Sequence, residues 1–422
     1  MPLHLEIEKL VYGGDGLGHC DGQTVFVPFV LPEEIVQVTP LERKKKFVRA
    51  RIEQVVQPSP ERAAAPCPHF GICGGCNYQH IPYEAQLRFK AEILRETLRR
   101  IGRMEWTGEI LLHPSPAFGY RNRAQWKARP AGDRVSLGYM QAGTSSLVRV
   151  DACPILSPRL EETLAALRVL GKAGELPATL REIEAFADSA DERVLLNVSL
   201  TEFGAGPATL AEKLRSAVPH AESILLHESS RDRFELFGPG FINYVVADTS
   251  YRVGHLSFFQ VNRHLLEPMV RAVTANETGR LALDLFAGVG LFTVPLTRCF
   301  ESVVAVESNA AAARDLEVNL EASGAAARVV HTAVEEFLKD FAEKPDLVVL
   351  DPPRAGVPPE ALAALAALRP ERITYLSCDP ATLARDLRAL VGTAYRIAEI
   401  HFFDVFPQTY HIESLVRLER VE

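Results

Sequence analysis

The 422-residue chain has little of what marks membrane, secreted or repetitive proteins. No apolar run reaches the roughly 20 residues of a membrane-spanning helix, and the N-terminal residues lack a basic segment followed by an apolar one. There is no low-complexity segment and no internal repeat, which argues against a disordered chain and a solenoid. We therefore expect a soluble, cytoplasmic protein with no membrane partner, a monomer by default. It should fold as two or three domains because the chain is too long for one.

Cysteine is also scarce, and its placement is uneven. Seven cysteines are an odd number, and Cys67, Cys73 and Cys76 lie close together, which argues against the disulfide framework of a secreted protein. Cys153 shares the Cys-Pro context of Cys67 and is the best candidate for a fourth ligand. Such a set can bind zinc, hold an iron–sulfur cluster or act in redox exchange. Spacing alone does not choose among these, and unrelated free thiols are the remaining alternative.

The chain is acidic overall but basic in its first third. The formal net charge is −8, which argues against a nucleic-acid partner. Basic residues nevertheless concentrate in Leu41–Arg51, Arg88–Arg103 and Arg121–Arg134. Each segment alone fits a solvated surface. Three together, two of them interleaved with aromatic residues, are typical of a protein that binds a polyanion such as RNA.

The pattern of apolar runs and turns predicts three domains. Residues 1–56 alternate short β-runs with glycine turns, which predicts a small five-stranded barrel of the oligonucleotide-binding kind. Residues 57–257 mix strands and helices around the cysteine set and predict an RNA-binding α/β domain. From 258 to 422 strands alternate strictly with helices, which predicts a doubly wound, Rossmann-like α/β domain. Ligands bind beyond the carboxyl ends of the strands in such a sheet, so residues that follow its strands are the candidates for a site.

One strand-to-helix turn of the last domain indicates a cofactor site. Ala287-Gly-Val-Gly290 brings backbone close to a ligand at the start of a helix. Glu307 ends the next strand, where an acidic side chain binds a ribose diol. Thr293 stands where a dinucleotide fingerprint has a small residue. Together with the acidic Asp284, the pattern favours an adenosine ligand without a phosphate clamp, such as S-adenosylmethionine. A purely structural turn is the alternative.

Other strand ends of this domain carry residues that suit chemistry on a base. Asp351-Pro-Pro-Arg354 ends one strand in a rigid turn whose carbonyls can hold a base, although a proline pair can also simply end a strand. Cys378 ends another strand, where a lone cysteine is more often a buried apolar residue than a nucleophile. Glu413 follows a turn near the C-terminus and is the candidate carboxylate, with a capping or surface acid as the alternative.

A thiol and a carboxylate together suit methyl transfer to carbon 5 of uracil, which is a poor nucleophile. Addition of a thiolate to carbon 6 creates an enolate, and carbon 5 then attacks the methyl group of the cofactor. A base removes the proton from carbon 5, and the thiol leaves by elimination. The target base has to be flipped out of its stack to reach such a pocket.

Along essentially its whole length the chain resembles the RNA 5-methyluridine methyltransferases that act on ribosomal RNA. The resemblance is carried by a TRAM-like N-terminal barrel, the set Cys67/Cys73/Cys76/Cys153, Ser257-Phe-Phe-Gln-Val-Asn262, Asp284–Gly290, Asp351–Arg354, Ser377-Cys-Asp-Pro380 and His411-Ile-Glu413. It implies that Cys378 is the nucleophile and Glu413 the base, and that S-adenosylmethionine is the methyl donor. It further implies that the four cysteines hold a [4Fe–4S] cluster. The cofactor and target-base contacts that it implies are Gln260, Phe286, Glu307 and Asp351.

The chain also departs from the family pattern. Leu291 and Ala333 stand where relatives carry polar residues, and Asp379 replaces a frequent Asn. The barrel and the cysteine set favour 23S ribosomal RNA over transfer RNA, because the transfer-RNA enzymes usually lack both. Three alternatives stay open: the same chemistry on transfer RNA, a methyltransferase that acts on a base nitrogen or on protein, and a non-catalytic RNA-binding assembly factor.

Overall fold

The computed structural model describes residues 3–204, 206–392 and 394–421. The N-terminal part forms a six-stranded sheet in the order β1-β5-β6-β4-β3-β2. Its strands are β1 (Leu3–Glu6), β2 (Lys9–Leu10), β3 (Asp15–Cys20), β4 (Gln23–Pro28), β5 (Ile35–Arg43) and β6 (Phe47–Gln57).

The barrel closes because its first strand bends and pairs on both sides. β1 pairs with β5, whereas β2, which follows after Ile7 and Glu8, pairs with β3. Counted as one bent strand, β1 and β2 give the five-stranded barrel that the sequence predicts. Gly18 is required where β3 crosses β1, because a Cβ atom there would lie 2.2 Å from the Glu6 carbonyl oxygen.

A second sheet of seven strands, in the order β10-β9-β8-β11-β12-β13-β14, forms the central domain. Its elements are β8 (Arg123–Ala131), β9 (Arg134–Met140), β10 (Leu147–Arg149), α2 (Pro158–Lys172), β11 (Leu180–Ala187), β12 (Val194–Leu200), α3 (Pro207–Ala217), β13 (Ala221–Glu228) and β14 (Arg233–Phe237), followed by the hairpin β15 (Phe241–Val246) and β16 (Thr249–Gly254). Leu160, Leu164 and Leu167 recur at helical spacing and are fully buried in the core beneath α2. That periodicity is why the helix forms where the sequence predicts it.

The third sheet has eight strands in the order β19-β18-β17-β20-β21-β23-β22-β7. Its elements are α1 (Tyr83–Arg100), β7 (Ile110–His113), α4 (Leu266–Thr274), β17 (Gly279–Leu285), α5 (Thr293–Leu296), β18 (Phe300–Val306), α6 (Ala310–Ser323), β19 (Arg328–Val330), α7 (Val334–Asp340), β20 (Leu347–Leu350), α8 (Pro359–Leu368), β21 (Arg372–Ser377), α9 (Pro380–Val391), β22 (Tyr395–Phe403) and β23 (Glu413–Arg420). Every neighbouring pair of strands is parallel except the two pairs that β23 makes. No helix in the described ranges combines the length and the apolar character needed to span a bilayer.

Helix α1 and strand β7 belong to this third sheet, although they lie inside the range 57–257 that the sequence predicts as the central domain. β7 pairs in parallel with β22 from the other end of the chain. Ile93, Leu94 and Leu98 of α1 are buried in the same core as β17, β20 and β21. The range 57–257 is therefore divided between two sheets. A local pattern predicts β-structure or helix, but it does not encode which distant strand completes the pairing.

Two side chains of α1 fix the loop between β22 and β23. The Lys90 ammonium lies 2.7 Å from Asp404 Oδ1, and both side chains are fully buried. One helical turn earlier, Gln86 Nε2 donates to Gln408 Oε1 at 3.0 Å, and the Gln408 amide donates back to Gln86 Oε1 at 2.9 Å. Breaking the buried ion pair of Lys90 and Asp404 costs about 3–5 kcal/mol, because the remaining charge stays buried without a partner. The loop leads directly into Glu413, so α1 helps to set where that residue lies.

Candidate active site

The third sheet brings the residues predicted to carry the chemistry to one edge. Glu307 follows β18, Asp284 lies near the end of β17, Asp351 follows β20 and Cys378 follows β21. These four strands are parallel and adjacent in the order β18-β17-β20-β21. Their carboxyl ends therefore meet at the edge where ligands bind. Glu413 joins them from β23, whose reversed direction places its first residue at the same edge.

Cys378 and Glu413 each adjoin the pair of residues that ends the ladder between β21 and β23. β21 and β23 pair antiparallel, and the pair at this end of the ladder is Ser377 with Ser414. Cys378 follows Ser377 and Glu413 precedes Ser414, so both candidate residues adjoin this last pair. The electrostatics agree with this closeness: burial first and the Glu413 carboxylate second raise the pKa of the Cys378 thiol to about 12.

Two nearby features favour the thiolate instead. The Arg354 guanidinium acts to lower the pKa of Cys378. Cys378 also lies directly before Asp379, which caps α9 by accepting bonds from the Ala381 and Thr382 amides, both at 2.9 Å. The positive end of a helix lowers the pKa of a cysteine beside it. Arg354 and the start of α9 therefore oppose the larger effects of burial and Glu413 on the pKa of this thiol.

Three carboxyl groups at this edge have raised pKa values. Burial raises the pKa of both Asp284 and Asp351 to about 7, and Asp284 adds to the shift of Asp351. Glu413 is 3% exposed, and burial together with Asp351 raises its pKa well above the ordinary value. Carboxyl groups tuned in this way can exchange protons near neutral pH. A positively charged ligand would favour their ionised forms, which suits the sulfonium and ammonium groups of S-adenosylmethionine.

The turn after β17 has the backbone of a ligand-binding loop. Phe286 has a φ of +67°, a left-handed conformation that is strained for an aromatic residue. A Cβ atom on Gly288 would meet nothing within 4 Å, so open space lies above the turn. Glu307 Oε2 accepts a bond from the Gly288 amide at 2.8 Å, which places the acidic side chain against the turn. Thr293 Oγ1 donates to Asp284 Oδ2 at 2.5 Å, which gives Thr293 a reason to stand in place of a smaller residue. Asp284 Oδ1 has no partner among the described residues, so the residues present fit a bound polar cofactor.

Gln260 lies beside this edge, on a segment between the central domain and the third sheet. The Asn122 amide donates to the Val261 carbonyl at 3.0 Å, and Asn262 Nδ2 donates to the Val405 carbonyl at 3.1 Å. Gln260 is 7% exposed, so its side chain is buried. The bonds at Val261 and Asn262, the next two residues, restrain the segment that holds it. Its contact with the cofactor or the target base stays a prediction.

The four predicted cysteine ligands line one cavity of about 190 Å³. They are Cys67, Cys73, Cys76 and Cys153. The loop that carries Cys67, Cys73 and Cys76, called here the cysteine loop, packs on β9. There the Gly74 amide donates to the Met140 carbonyl at 2.9 Å. Burial, with a smaller contribution from the neighbouring thiols, raises the pKa of Cys76 to about 11 and that of Cys153 to about 12. In the described ranges no three candidate ligands lie close enough to hold a single metal ion. The four thiols are therefore gathered around one space without converging on one point.

Two residues at the site, Arg354 and Tyr12, are not identified as candidates by the sequence patterns. Arg354 lies inside the Asp-Pro-Pro-Arg motif, and its position after β20 is the signal that could identify it. Tyr12 has no such signal. Its hydroxyl donates to Asp379 Oδ2 at 2.9 Å, and its ring packs edge-on against Tyr410 with centroids 5.8 Å apart. The bond from Tyr12 to Asp379 joins the barrel, near the N-terminus, to the turn after the candidate nucleophile Cys378, near the C-terminus.

A largely parallel sheet with one reversed strand, a glycine turn after β17 and acidic strand ends is typical of an S-adenosylmethionine-dependent methyltransferase. A TRAM domain model matches residues 3–52. The chain belongs to the tRNA (uracil-5-)-methyltransferase family, whose model matches residues 82–421. It is an S-adenosylmethionine-dependent RNA uracil-5-methyltransferase.

The similar proteins include enzymes named for ribosomal RNA and for transfer RNA. The chain is 35% identical over 431 residues to an uncharacterized RNA methyltransferase of Aquifex aeolicus, covering 99% of this chain and 98% of that protein. It is 33% identical over 433 residues to the 23S rRNA (uracil(1939)-C(5))-methyltransferase RlmD of Pseudomonas entomophila, covering 98% and 93%. Among solved structures, the tRNA (uracil-54, C5)-methyltransferase of Pyrococcus abyssi, in complex with S-adenosyl-L-homocysteine, matches with a TM-score of 0.77. Its identity is 29%, and the match covers 99% of this chain and 100% of that one.

Proposed function

We propose that this enzyme methylates carbon 5 of a specific uridine in 23S ribosomal RNA, with Cys378 as the nucleophile and Glu413 as the base. The place of these two residues beside the last pair of β21 and β23, at the ligand-binding edge, carries the proposal. A thiol and a carboxyl group are the two groups that methylation of uracil carbon 5 needs. A methyltransferase that acts on a base nitrogen or on protein needs no thiol, and a non-catalytic RNA-binding factor needs neither group.

The mechanism starts with a uracil flipped out of the RNA into the pocket. The Cys378 thiolate adds to carbon 6, and the electrons of the ring double bond form an enolate. Carbon 5 then bonds to the methyl group, which S-adenosylmethionine supplies as its sulfur–methyl bond breaks. Glu413 removes the remaining proton from carbon 5, the bond between sulfur and carbon 6 breaks, and the double bond forms again. Arg354 and the start of α9 favour the thiolate in the first step. Glu413 accepts the proton in the last step as its carboxylate, and the raised pKa makes that carboxylate a stronger base.

In this proposal Gln260, Phe286, Glu307 and Asp351 contact the cofactor and the target base. Glu307 lies against the Gly288 amide, where it can meet a ribose diol. The strained backbone of Phe286 supports a role in shaping the same pocket. Asp351 stands at the end of β20, between the cofactor turn and Cys378.

Ribosomal RNA is proposed over transfer RNA because the RlmD enzymes are 33% and 32% identical to the chain along its full length, whereas the transfer-RNA enzyme of Pyrococcus abyssi is 29% identical. We expect the purified enzyme to transfer labelled methyl groups to 23S RNA from cells that lack it, and not to transfer RNA from the same cells. Mass spectrometry of the product would identify the nucleotide. Ribosomal RNA from wild-type cells is the control and should accept no label, because its site is already methylated. Methylation of transfer RNA alone would contradict the ribosomal assignment and leave the uracil-5 chemistry intact.

We also propose that Cys67, Cys73, Cys76 and Cys153 hold a [4Fe–4S] cluster. A cluster binds its thiolates through different iron atoms, whereas a single zinc ion draws all its ligands to one point. Four thiols that line one cavity support a shared site, and the resemblance to the ribosomal RNA 5-methyluridine methyltransferases favours a cluster over zinc there. The cavity is also lined by Arg121 and Tyr139 rather than by strand ends of the third sheet, which supports a structural or RNA-positioning role.

Anaerobically purified protein is expected to contain about four iron atoms per chain and to show broad visible absorbance. Cys153→Ser should lose most of the iron and the absorbance, because a ligand is removed. Cys20→Ser is the matched control, since Cys20 ends β3 in the barrel, and it should keep both. Stoichiometric zinc without iron in the wild-type protein would overturn the cluster assignment.

A further inference from the structure

One turn of the barrel lies against the loops of the candidate active site. It comprises residues 12–14, between β2 and β3, and is called here the barrel turn. Gly14 has a φ of +93°, and a Cβ atom on it would lie 3.3 Å from Tyr410 Cδ1. A side chain at this position would therefore be both strained and crowded. The barrel turn packs closely on the loop that precedes Glu413.

The first residue of the barrel turn contacts two segments of the third domain. The Tyr12 hydroxyl donates to Asp379 Oδ2 at 2.9 Å, and the Tyr12 ring packs edge-on against Tyr410 with centroids 5.8 Å apart. Asp379 directly follows Cys378, and Tyr410 lies three residues before Glu413. One side chain of the barrel thus contacts the segments that carry both the candidate nucleophile and the candidate base.

The bond from Tyr12 completes the hydrogen bonding of the Asp379 carboxylate. Asp379 Oδ1 accepts from the Ala381 and Thr382 amides at the start of α9, both at 2.9 Å. Its other oxygen, Oδ2, accepts from Tyr12. Burial first and Asp379 second raise the pKa of Tyr12 above its ordinary value, so the hydroxyl keeps its proton and remains a donor. The carboxylate is held from two sides, and the turn after Cys378 is held with it.

The Asp379 carboxylate also places a negative charge one residue from the candidate nucleophile. Glu413 on β23 and Asp351 after β20 face the same sulfur and raise the pKa of its thiol, whereas Arg354 lowers it. A further uncompensated negative charge would disfavour the thiolate. The bond from Tyr12 disperses part of the charge of Asp379 and keeps its carboxylate on the amides of α9.

We propose that Tyr12 is a positioning residue for the nucleophile, which holds the Asp379 carboxylate and thereby favours the reactive, ionised form of Cys378. The part that Cys378 plays in methyl transfer rests on the proposed function, whereas the action of Tyr12 on the sulfur does not depend on RNA. The barrel therefore contributes to the chemistry of the third domain through one hydrogen bond.

The test measures how fast iodoacetamide alkylates Cys378 in full-length protein without RNA. Mass spectrometry of the peptide that contains Cys378 separates this thiol from the others. Between pH 7 and 9 the rate is proportional to the fraction of thiolate, because only the thiolate reacts. Tyr12→Phe removes the hydroxyl and keeps the ring. It is expected to slow alkylation about three- to tenfold, as a rise of about half to one unit in the pKa of the thiol would do. In methylation assays kcat should fall by a similar factor with KM for RNA unchanged, because the lost interaction acts on the nucleophile.

A double-mutant cycle shows whether Tyr12 acts through Asp379. Asp379→Asn removes the charge and keeps a side chain that can cap α9, so adding Tyr12→Phe to it should not slow alkylation further. Tyr395→Phe is the matched control. The buried Tyr395 hydroxyl donates to the Pro370 carbonyl at 2.8 Å, at the start of β22 and far from the ligand-binding edge, so its loss should leave the alkylation rate unchanged.

Two results would overturn the proposal. One is a wild-type rate of alkylation in Tyr12→Phe. The other is an equal loss of rate from Tyr12→Phe with and without Asp379→Asn, since the hydroxyl would then act by another route. Failure of the wild type to methylate RNA would instead count against the proposed function and leave the alkylation result standing.

Discussion

Cys378→Ala is expected to abolish methylation of RNA while S-adenosylmethionine still binds. The variant cannot form the bond to carbon 6, so carbon 5 of uracil stays a poor nucleophile. Loss of a covalent nucleophile typically costs on the order of 10⁴-fold or more in turnover. Transfer of labelled methyl groups to RNA measures turnover, and isothermal titration with S-adenosylmethionine measures binding. Alanine removes only the sulfur from a half-buried position, so the fold should persist.

The control for this variant is another single cysteine outside both proposed sites. Cys299 is half-buried, precedes β18 and packs against the core of the third sheet. Cys299→Ala should methylate RNA at the wild-type rate. If Cys378→Ala also methylates at that rate, the covalent mechanism is wrong. Methyl transfer without a thiol would favour chemistry on a base nitrogen or on protein, for which the same strand-end turn can serve.

The positions of the candidate catalytic residues could be predicted because they depend on local patterns and one rule of topology. Glu307, Asp351 and Cys378 each follow a short apolar run that forms a buried parallel strand. Parallel strands present their carboxyl ends at one edge, so residues distant in sequence converge without any knowledge of their contacts. Glu413 was the hardest to place, because it begins a strand. Only the reversed direction of β23 brings it to the same edge.

Contacts that join separate domains could not be predicted in this way. The pairing of β7 with β22, the bond from Tyr12 to Asp379 and the buried pair of Lys90 and Asp404 each connect distant parts of the chain. Each contact depends on how separate folded parts of the chain pack against one another, and hydrophobic periodicity carries no information on that packing. The division of the range 57–257 between two sheets has the same origin.

Contacts from several distant parts of the chain meet at the loop that precedes Glu413. The Asn77 and Tyr78 amides, just after the cysteine loop, donate to the Gln408 carbonyl at 2.9 and 3.0 Å. From the start of the central domain, the Tyr120 hydroxyl donates to the Pro407 carbonyl at 3.0 Å. Gln408 itself has a φ of +67°, a conformation that such surrounding bonds have to maintain. The cysteine loop, the central domain and α1 therefore all act on the position of the candidate base, although none of them contributes a residue that the mechanism uses.

Glu413→Gln is expected to trap RNA covalently on the enzyme. Glutamine has the size of the protonated carboxyl group that burial favours at this position, so the pocket should keep its shape. Addition of the Cys378 thiolate and methyl transfer need no base, whereas removal of the proton from carbon 5 does. Turnover should fall by about 10²- to 10⁴-fold, and the methylated adduct should accumulate. Denaturing gel electrophoresis with labelled RNA shows the adduct as a protein-linked band.

Two further variants decide what such a band means. Glu419 lies on the same strand, β23, and pairs at the surface with Arg396, so Glu419→Gln should turn over normally and trap nothing. The double variant Cys378→Ala with Glu413→Gln should give no band, because the sulfur that links protein and RNA is gone. Loss of activity in Glu413→Gln without an adduct would assign proton removal to another group. Asp351 would then be the first to test, since burial raises its pKa to about 7 in the same pocket.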